Sequence, residues 1–405
     1  MRLRRPLGVA ARGLNPLLAI MLVELFVGGG GRLFELGPAT VRMLLFVMCV
    51  LSMFWIVATR PISARSQLLA LTLLVAYLAV HLLAFFTGLV AGNEADSEIT
   101  ELQQSAYWLL APFFAYCLMA RPPIRDVVAI VKGSSIVLAV AYLLLLLVLV
   151  TGFVDVVQVY ELIRISPEFV LRNDSLFFYK GFLYLGIGLI FFVATAEKKW
   201  PFFALVCATA LILALTRGFI LATSIALALL LVQQRRWRAL AVAMLGVAAA
   251  AIFIWVYLPA SDDAISDQRE MSNEQRLGDM AEIFKETTVK TVLIGEGAGT
   301  PVRERVLVEN TFLWAFWHMG LAGLAFWLAP LAICLWYFSK VRRDDAEYGI
   351  ACAFFYGTVL VYVQTAANPY LNNPIGLSFV MTSIFSLATL ARTQRARSNI
   401  RAPAR

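Results

Sequence analysis

Charged residues, cysteine and histidine are all scarce in this 405-residue chain, and each shortage excludes a class of protein. Only 15% of the residues are charged and 61% are hydrophobic, which is more apolar surface than one soluble core can bury. The 5 cysteines all fall in apolar runs, and this excludes a disulfide framework or a Cys/His metal site. The polar loops contain no Asp-x-Asp signature. The sequence therefore predicts an all-α polytopic membrane protein that uses no metal and no other cofactor.

Apolar runs that can cross a membrane as helices recur along the whole chain. A crossing takes about 17 to 25 residues, and we count twelve segments: about 14–30, 38–58, 66–92, 103–120, 127–153, 177–196, 200–215, 218–232, 239–258, 311–338, 348–366 and 375–391. The runs at 200–215 and 218–232 are short and are predicted to form a tight helical hairpin. The chain thus divides into residues 1–258 with helices 1–9, a polar loop at 259–310, and residues 311–405 with helices 10–12 and a basic tail.

Lysine and arginine predict the orientation, because cytoplasmic loops retain positive charge. The basic segments fall on alternate sides of the twelve helices: Arg2 to Arg12, Thr59 to Arg65, Arg121 to Arg125, Lys198 to Lys199, Arg235 to Arg238, Lys340 to Arg343 and Arg392 to Arg405. Both termini are therefore predicted to be cytoplasmic, and segment 1 is predicted to be retained. The formal net charge of +8 reflects this topology rather than nucleic-acid binding. We expect the basic tail to contact anionic lipid headgroups.

The larger of the two long outer loops, 259–310, contains an amphipathic stretch from Asn273 to Thr287. Its apolar residues recur at helical spacing: Leu277, Met280, Ile283 and Phe284. We expect this helix to lie on the membrane surface or to cap a cavity. A glycine-rich turn follows at Ile294 to Gly299, where glycine either permits positive backbone φ or cradles a phosphate.

Three charged residues converge on the outer side in this topology: Arg217, Arg276 and Glu309. Two guanidinium groups can hold a diphosphate without a metal because their forked donors match phosphate oxygens. Each residue also has a structural interpretation, since Arg217 can form an ion pair or reach the interface, and Arg276 can be a solvated charge. Glu309 can complement a helix dipole, or its apolar surroundings beside Asn310 can raise its pKa and make it a general base.

Other polar residues are weaker candidates. His318 and His81 lie within apolar segments and are predicted to be packed histidines bonded to a neighbouring helix. The run from Asn368 to Pro374 joins segments 11 and 12 on the outer side. Its amide and phenol groups, on Asn368, Tyr370 and Asn372, can bind sugar hydroxyls, and a Pro/Asn turn explains the same residues equally well.

In order, these pieces resemble the O-antigen polymerase and ligase superfamily of bacterial integral membrane glycosyltransferases (GT-C type). The matching features are Thr216-Arg217-Gly218 at the start of a membrane helix, Arg276 in the large outer loop, the turn at 294–299, and Glu309-Asn310 followed by Gly320-Leu321-Ala322-Gly323. Ligases of the superfamily carry histidine where this chain has Glu309. The resemblance therefore favours the polymerase branch.

The resemblance implies a location in the bacterial inner membrane and a site that faces the periplasm. Donor and acceptor are then glycans linked to undecaprenyl diphosphate, with membrane lipids and a chain-length regulator as further candidate partners, and with no nucleic acid. Arg217 and Arg276 would bind the donor diphosphate, Glu309 would act on the acceptor hydroxyl, and Asn310, Asn368, Tyr370 and Asn372 would contact substrate. Inversion at the anomeric carbon is expected.

Other functions are also compatible with these sequence features. An O-antigen ligase would transfer the same donor to lipid A-core, and a protein O-oligosaccharyltransferase would transfer it to protein. A transporter of lipid-linked glycans also fits twelve helices. The discriminating observation is whether Arg217, Arg276 and Glu309 share one outward-facing cavity, or whether Arg217 faces a central pathway with Lys132 and His81.

Overall fold

The computed structural model describes residues 14–28, 35–36, 39–59, 64–93, 99, 103, 105–119, 123–154, 159, 169–172, 176–197, 199–257, 263–303 and 308–401. In chain order the elements are α1 (Pro16–Val27), β1 (Glu35–Leu36), β2 (Ala39–Thr40), α2 (Val41–Thr59), α3 (Ala64–Ala91), α4 (Ala111–Met119), α5 (Ile124–Val150), β3 (Phe169–Arg172), β4 (Leu176–Tyr179), α6 (Leu183–Thr195), α7 (Trp200–Leu213), α8 (Arg217–Gln233), α9 (Trp237–Tyr257), α10 (Asp263–Glu286), α11 (Val289–Ile294), α12 (Thr311–Ser339), α13 (Tyr348–Thr365) and α14 (Pro374–Arg401). Short 3-10 turns lead into α4 and α6.

Helices dominate the described residues, and the strands form only two short antiparallel hairpins, β1 with β2 and β3 with β4. Each of the twelve predicted apolar runs coincides with an apolar helix. Among the described residues six helices are long and apolar enough to cross a membrane: Val41–Thr59, Gln67–Ala91, Ile124–Val150, Thr311–Ser339, Tyr348–Thr365 and Pro374–Arg397. Six shorter apolar helices account for the remaining runs. The predicted all-α polytopic membrane fold is confirmed.

The centre of the bundle is formed by α6 and α14. Side chains from Leu183 to Ala194 in α6 are all buried, as are those from Pro374 to Leu390 in α14. Helix α13 packs against both of them. On the periphery, α2 and α3 expose apolar side chains such as Phe54, Trp55 and Val75. Such an outward apolar surface is what a helix bundle in lipid presents to acyl chains.

The helices on either side of Arg217 are joined by a turn, as predicted. The turn is tight, since Leu215 takes a positive φ of 49° between the end of α7 and the start of α8. The two helices contact each other and both pack on α6. In addition α7 packs on α5, whereas α8 packs on α9 and α13.

The polar loop at 259–310 holds two helices. Helix α10 begins at Asp263, ten residues before the predicted amphipathic stretch, because the polar residues there continue the helix without an apolar stripe. Leu277, Met280 and Phe284 are exposed, whereas Ile283 is buried against the protein. The predicted apolar face is therefore divided into exposed side chains and one side chain packed against the protein.

The bundle has two ends. The Arg217 end comprises residues 214–219, 295–303, 308–318 and 364–373, which are joined by the contacts of Phe219 with Tyr370, Thr311 with Asn372 and Trp317 with Thr300. The Lys132 end comprises Lys132 and residues 195–197, 233–236 and 340–348. The predicted N-terminal basic segment Arg2 to Arg12 lies outside the described residues. The basic tail continues as helix α14 through Arg401.

Candidate active site

Two of the three charged residues singled out in the sequence form an ion pair. Arg276 of α10 donates from Nε to Glu309 Oε2 at 2.7 Å, and the two side chains are 39% and 31% exposed. The residues are 33 positions apart in the chain. Only the Nε–H of the guanidinium is engaged in the described contacts, so its four other N–H donors are available to an anion.

Glu309 is held just outside the start of α12. Asn310 is the N-cap of that helix, and its Oδ1 accepts from Phe312 N at 2.9 Å and from Leu313 N at 3.2 Å. A side-chain oxygen in this position satisfies backbone donors that the helix itself leaves unpaired. The predicted substrate contact of Asn310 is thus left to its Nδ2 group, because Oδ1 serves the fold. The cap positions the Glu309 carboxylate at the positive end of the α12 dipole.

Arg217 is the first residue of α8 and its side chain is exposed. It makes no ion pair or side-chain hydrogen bond with the described part of the chain. The residue before it, Thr216, is the N-cap, yet its side chain makes no cap hydrogen bond and Oγ1 instead donates to Ala214 O at 3.0 Å. The start of α8 therefore combines a guanidinium with helix N–H groups that no side chain caps.

The connection at 366–373 links Arg217 to Glu309. The ring of Tyr370 packs on Phe219, two residues after Arg217, at 5.7 Å between centroids. On the other side, Thr311 Oγ1 donates to Asn372 Oδ1 at 3.4 Å, two residues after Glu309. All three charged residues therefore border the same end of the bundle, around one connecting segment.

Two predicted sugar contacts are buried in that segment. Tyr370 is 3% exposed and its hydroxyl donates to Lys180 O at 3.1 Å. Asn372 is 2% exposed. In this arrangement neither side chain offers a surface to a sugar; Tyr370 holds the segment against the 3-10 turn before α6, and Asn372 holds it against α12. Asn368 is half-buried, and a sugar contact by Asn368 stays a prediction.

The glycine-rich turn at 294–299 supports a break in α12. Gly320 has φ 64° and ψ −155°, which interrupts the helix after His318 and Met319. The freed carbonyls accept from the turn: Glu296 N donates to Trp317 O at 2.7 Å, and Gly297 N to His318 O at 3.2 Å. Ala298 N donates to Ala84 O at 2.9 Å. These amides are bonded within the fold, which favours the structural interpretation of the turn over phosphate binding.

Glu296 fixes the same turn to α11. Lys290 Nζ donates to Glu296 Oε2 at 2.8 Å, and Thr291 Oγ1 donates to Oε1. Burial would raise the pKa of Glu296, but the hydrogen bonds from Lys290 and Thr291 outweigh it and hold the pKa below its usual value. The carboxylate is therefore a structural anchor of the Arg217 end.

Both histidines are packed. His318 Nδ1 faces Trp314 O at 3.1 Å on its own helix, and Nε2 faces Thr300 O at 2.9 Å just after the glycine-rich turn. His81 Nε2 contacts Ser105 Oγ at 3.2 Å on a neighbouring segment. Lys132 lies at the opposite end of the bundle, 2.6 Å from Glu197 Oε1. The central pathway of Arg217, Lys132 and His81 that a transporter would use is not formed by the described contacts.

Gln364 was not anticipated from the sequence. It lies in the last turn of α13 and is 1% exposed, and neither its Oε1 nor its Nε2 has a hydrogen-bond partner among the described residues. A glutamine in an apolar run does not by itself indicate a binding site. The structure places the Gln364 amide beside Gly218 at the start of α8. Lys180, whose carbonyl bonds Tyr370, is a second polar residue at this end that the sequence did not single out.

No protein-family model matches the chain. A protein from Shigella flexneri described as an O-antigen polymerase is 25% identical to it over 383 residues, which cover 92% of this chain and 95% of that protein. This similarity supports the resemblance to the O-antigen polymerase superfamily. The similarity extends over nearly the full length of both chains, and therefore reaches beyond the motifs at residues 200–330 on which the resemblance depended.

Proposed function

We propose that this chain is a member of the O-antigen polymerase superfamily, a membrane glycosyltransferase that polymerises oligosaccharide repeat units linked to undecaprenyl diphosphate. The similarity to the O-antigen polymerase of Shigella flexneri supports this activity. The observation that carries the proposal is the Arg276–Glu309 pair, at 2.7 Å, at the same end of the bundle as Arg217. A carboxylate at position 309 also supports polymerase over ligase, since the ligases resembled here carry histidine.

The donor is bound through its diphosphate. Arg217 and the free Nη groups of Arg276 supply forked donors to the phosphate oxygens. As the bond between the anomeric carbon and the phosphate oxygen breaks, negative charge grows on the leaving diphosphate. Cations fixed at that position stabilise this charge more in the transition state than in the ground state, and this difference accelerates the reaction.

The acceptor is activated by Glu309. A hydroxyl of the acceptor sugar attacks the anomeric carbon from the face opposite the diphosphate, so the configuration inverts. Its proton passes to the Glu309 carboxylate, the new glycosidic bond forms, and lipid diphosphate leaves. The bond that Arg276 makes to Glu309 Oε2 keeps the carboxylate beside the diphosphate site and leaves Oε1 to accept the proton.

The topology proposed with this mechanism has the Arg217 end facing the periplasm. Both termini are then cytoplasmic, and the Lys132 end, where several basic segments lie, faces the cytoplasm. Donor and acceptor lipids reach the site from the outer leaflet.

The test is reconstitution of the purified full chain with lipid-diphosphate-linked repeat units as the sole donor and acceptor, followed by electrophoresis of the glycans. We expect a ladder, and we expect Arg217→Ala to abolish it. Arg342→Ala is the matched control, since Arg342 is also exposed, lies at the Lys132 end and contacts Asp344 at 2.8 Å. It should leave the ladder intact.

Other outcomes identify the rival functions. If no ladder forms but glycan moves to added lipid A-core, the chain is a ligase, and transfer to added protein identifies an oligosaccharyltransferase. If no acceptor receives glycan, while lipid-linked glycan crosses the bilayer of the vesicles, the chain is a transporter. A ladder that persists in Arg217→Ala would remove Arg217 from the mechanism.

A further inference from the structure

The start of α8 has an unusual neighbour in Gln364. The amide of Gln364 lies against Gly218: a Cβ at Gly218 would stand 3.1 Å from Nε2 and 3.2 Å from Oε1. Gln364 is 1% exposed, and both amide atoms lack partners among the described residues. A buried, unpaired amide is costly. Its retention beside a helix N-terminus therefore suggests a second arrangement in which the amide is satisfied.

The helix start beside this amide suits an anion. Helix α8 is 17 residues long and its N-cap Thr216 makes no side-chain cap hydrogen bond. The first backbone amide bonded back into the turn is that of Ile220, which donates to Thr216 O at 3.2 Å. The amides of Arg217 and Gly218 come before it in the chain and have no hydrogen-bond acceptor within the helix. Together with the α8 dipole and the Arg217 guanidinium, they favour a bound phosphate group.

We propose that Gln364 completes this anion site by donating from Nε2 to a phosphate oxygen of the lipid diphosphate. The proposal rests on the proposed function for the identity of the ligand, and it adds a residue that the sequence motifs do not include. Because the amide is covered in this arrangement, binding includes a rotation of the Gln364 side chain past Gly218. Glycine at 218 permits that movement, since it has no Cβ to obstruct the amide.

Two other buried polar side chains without a described hydrogen-bond partner lie away from the start of α8. Thr223 lies deeper on α8, is 3% exposed, and its Oγ1 has no partner among the described residues, but it faces Gly186 of α6 and not the helix start. Gln67 is 5% exposed with both amide atoms unpaired in the same sense, and lies in the first turns of α3, toward the Lys132 end. These two residues supply matched controls for the loss of a buried polar group.

The experiment measures binding of farnesyl diphosphate, a short-chain prenyl diphosphate, to the full chain in detergent, without turnover. Gln364→Met keeps the length of the side chain and removes both polar atoms. We expect it to raise the Kd about tenfold, the loss produced by one hydrogen bond to a charged group. The unfolding temperature should stay the same or rise, because an unsatisfied amide has been removed. Gln67→Met and Thr223→Val should leave the Kd unchanged.

Gly218→Ala provides a second arm that leaves Gln364 intact, and it serves if Gln364→Met fails to fold. It should weaken binding, because the added Cβ obstructs the rotation. Unchanged affinity in both Gln364→Met and Gly218→Ala would overturn the proposal, as would equal weakening by Gln67→Met. Binding that depends on Gln364 in a chain that forms no glycan ladder would keep the site and remove the polymerase. A glycan ladder together with binding that does not depend on Gln364 would keep the polymerase and remove the Gln364 site.

Discussion

At the Lys132 end of the bundle three charged side chains join helices to one another, whereas at the Arg217 end a guanidinium and a buried amide make no hydrogen bond with the described residues. Lys132 Nζ contacts Glu197 at 2.6 Å and Thr195 at 2.8 Å, and Arg236 donates to Val193 O at 3.0 Å. Arg397 lies 4.0 Å from Asp345 and 3.8 Å from Glu347. By contrast, Arg217 and Gln364 have no such partner in the described part of the chain.

The two ends differ in what their polar groups contact. The Lys132 end uses its charges to join helix termini, for example the carboxyl end of α6 to α5 and to the turn between α8 and α9. The Arg217 end joins its own segments mostly through buried neutral groups, such as Tyr370 and Asn372, and its Arg217 guanidinium joins no described segment to another. Arg217 and Gln364 are the groups that the proposed mechanism and the proposed anion site assign to the substrate.

The largest expected effect separates the ends by activity. Arg217→Ala should lower the rate of chain elongation by about 10⁴-fold, as for an arginine that stabilises charge on a transferring or leaving phosphate. Arg342→Ala should stay within about twofold, as a surface substitution away from the site. Elongation rates measured on equal amounts of folded protein check this. Equal losses in both variants would erase the proposed difference between the ends.

The next effect tests the acid of the ion pair. Glu309→Gln should lower the elongation rate about 10³-fold, since it removes a general base but keeps the shape of the side chain. Glu282→Gln is the control on α10, because Glu282 has only a 3.8 Å contact with Lys285. Initial rates for the two variants provide the measurement. Full activity in Glu309→Gln would leave Glu309 with the helix-dipole role alone.

A third effect concerns the rigidity of the Arg217 end. Gly320→Ala should cost about 3 kcal/mol in the free energy of unfolding, because alanine is strained at positive φ and its Cβ would lie 2.7 Å from Ile294 N. Gly246 in α9 has no atom within 4 Å of such a Cβ, so Gly246→Ala should be neutral or stabilising. Denaturant unfolding of both variants tests this. Equal stability would mean that the break in α12 is not required.

The smallest effect is a dependence on pH. Because the pKa of Glu296 is lowered in the folded chain, its contribution to stability is present above its unfolded pKa and is lost as the pH falls through the folded value. Glu296→Gln should cost about 2 kcal/mol at neutral pH and less in acid. Unfolding at pH 7 and pH 4 measures this, with exposed Glu274→Gln as control. A cost that does not change between the two pH values would refute the anchor role of the carboxylate.

Sequence reasoning located the helices well and the site unevenly. Long apolar runs define membrane helices directly, so all twelve segments were found, and Arg217, Arg276 and Glu309 stood out as charges with unusual neighbours. The bond between Arg276 and Glu309 joins residues 33 apart and depends on how α10 packs. Gln364 escaped notice because its significance comes from Gly218, on another helix. Tyr370 and Asn372 were found, but their burial depends on contacts with the 3-10 turn before α6 and with α12 that no local pattern reveals.

The most direct test of the account measures elongation rate and unfolding midpoint together in Arg217→Ala and Lys132→Met. We predict a crossed result. Arg217→Ala should lose activity and keep its midpoint, since Arg217 bonds no described residue, whereas Lys132→Met should keep its activity per folded molecule and lose about 1 kcal/mol of stability with its ion pair. The division between a substrate end and a structural end is wrong if Arg217→Ala lowers the unfolding midpoint. It is also wrong if Lys132→Met lowers the elongation rate per folded molecule.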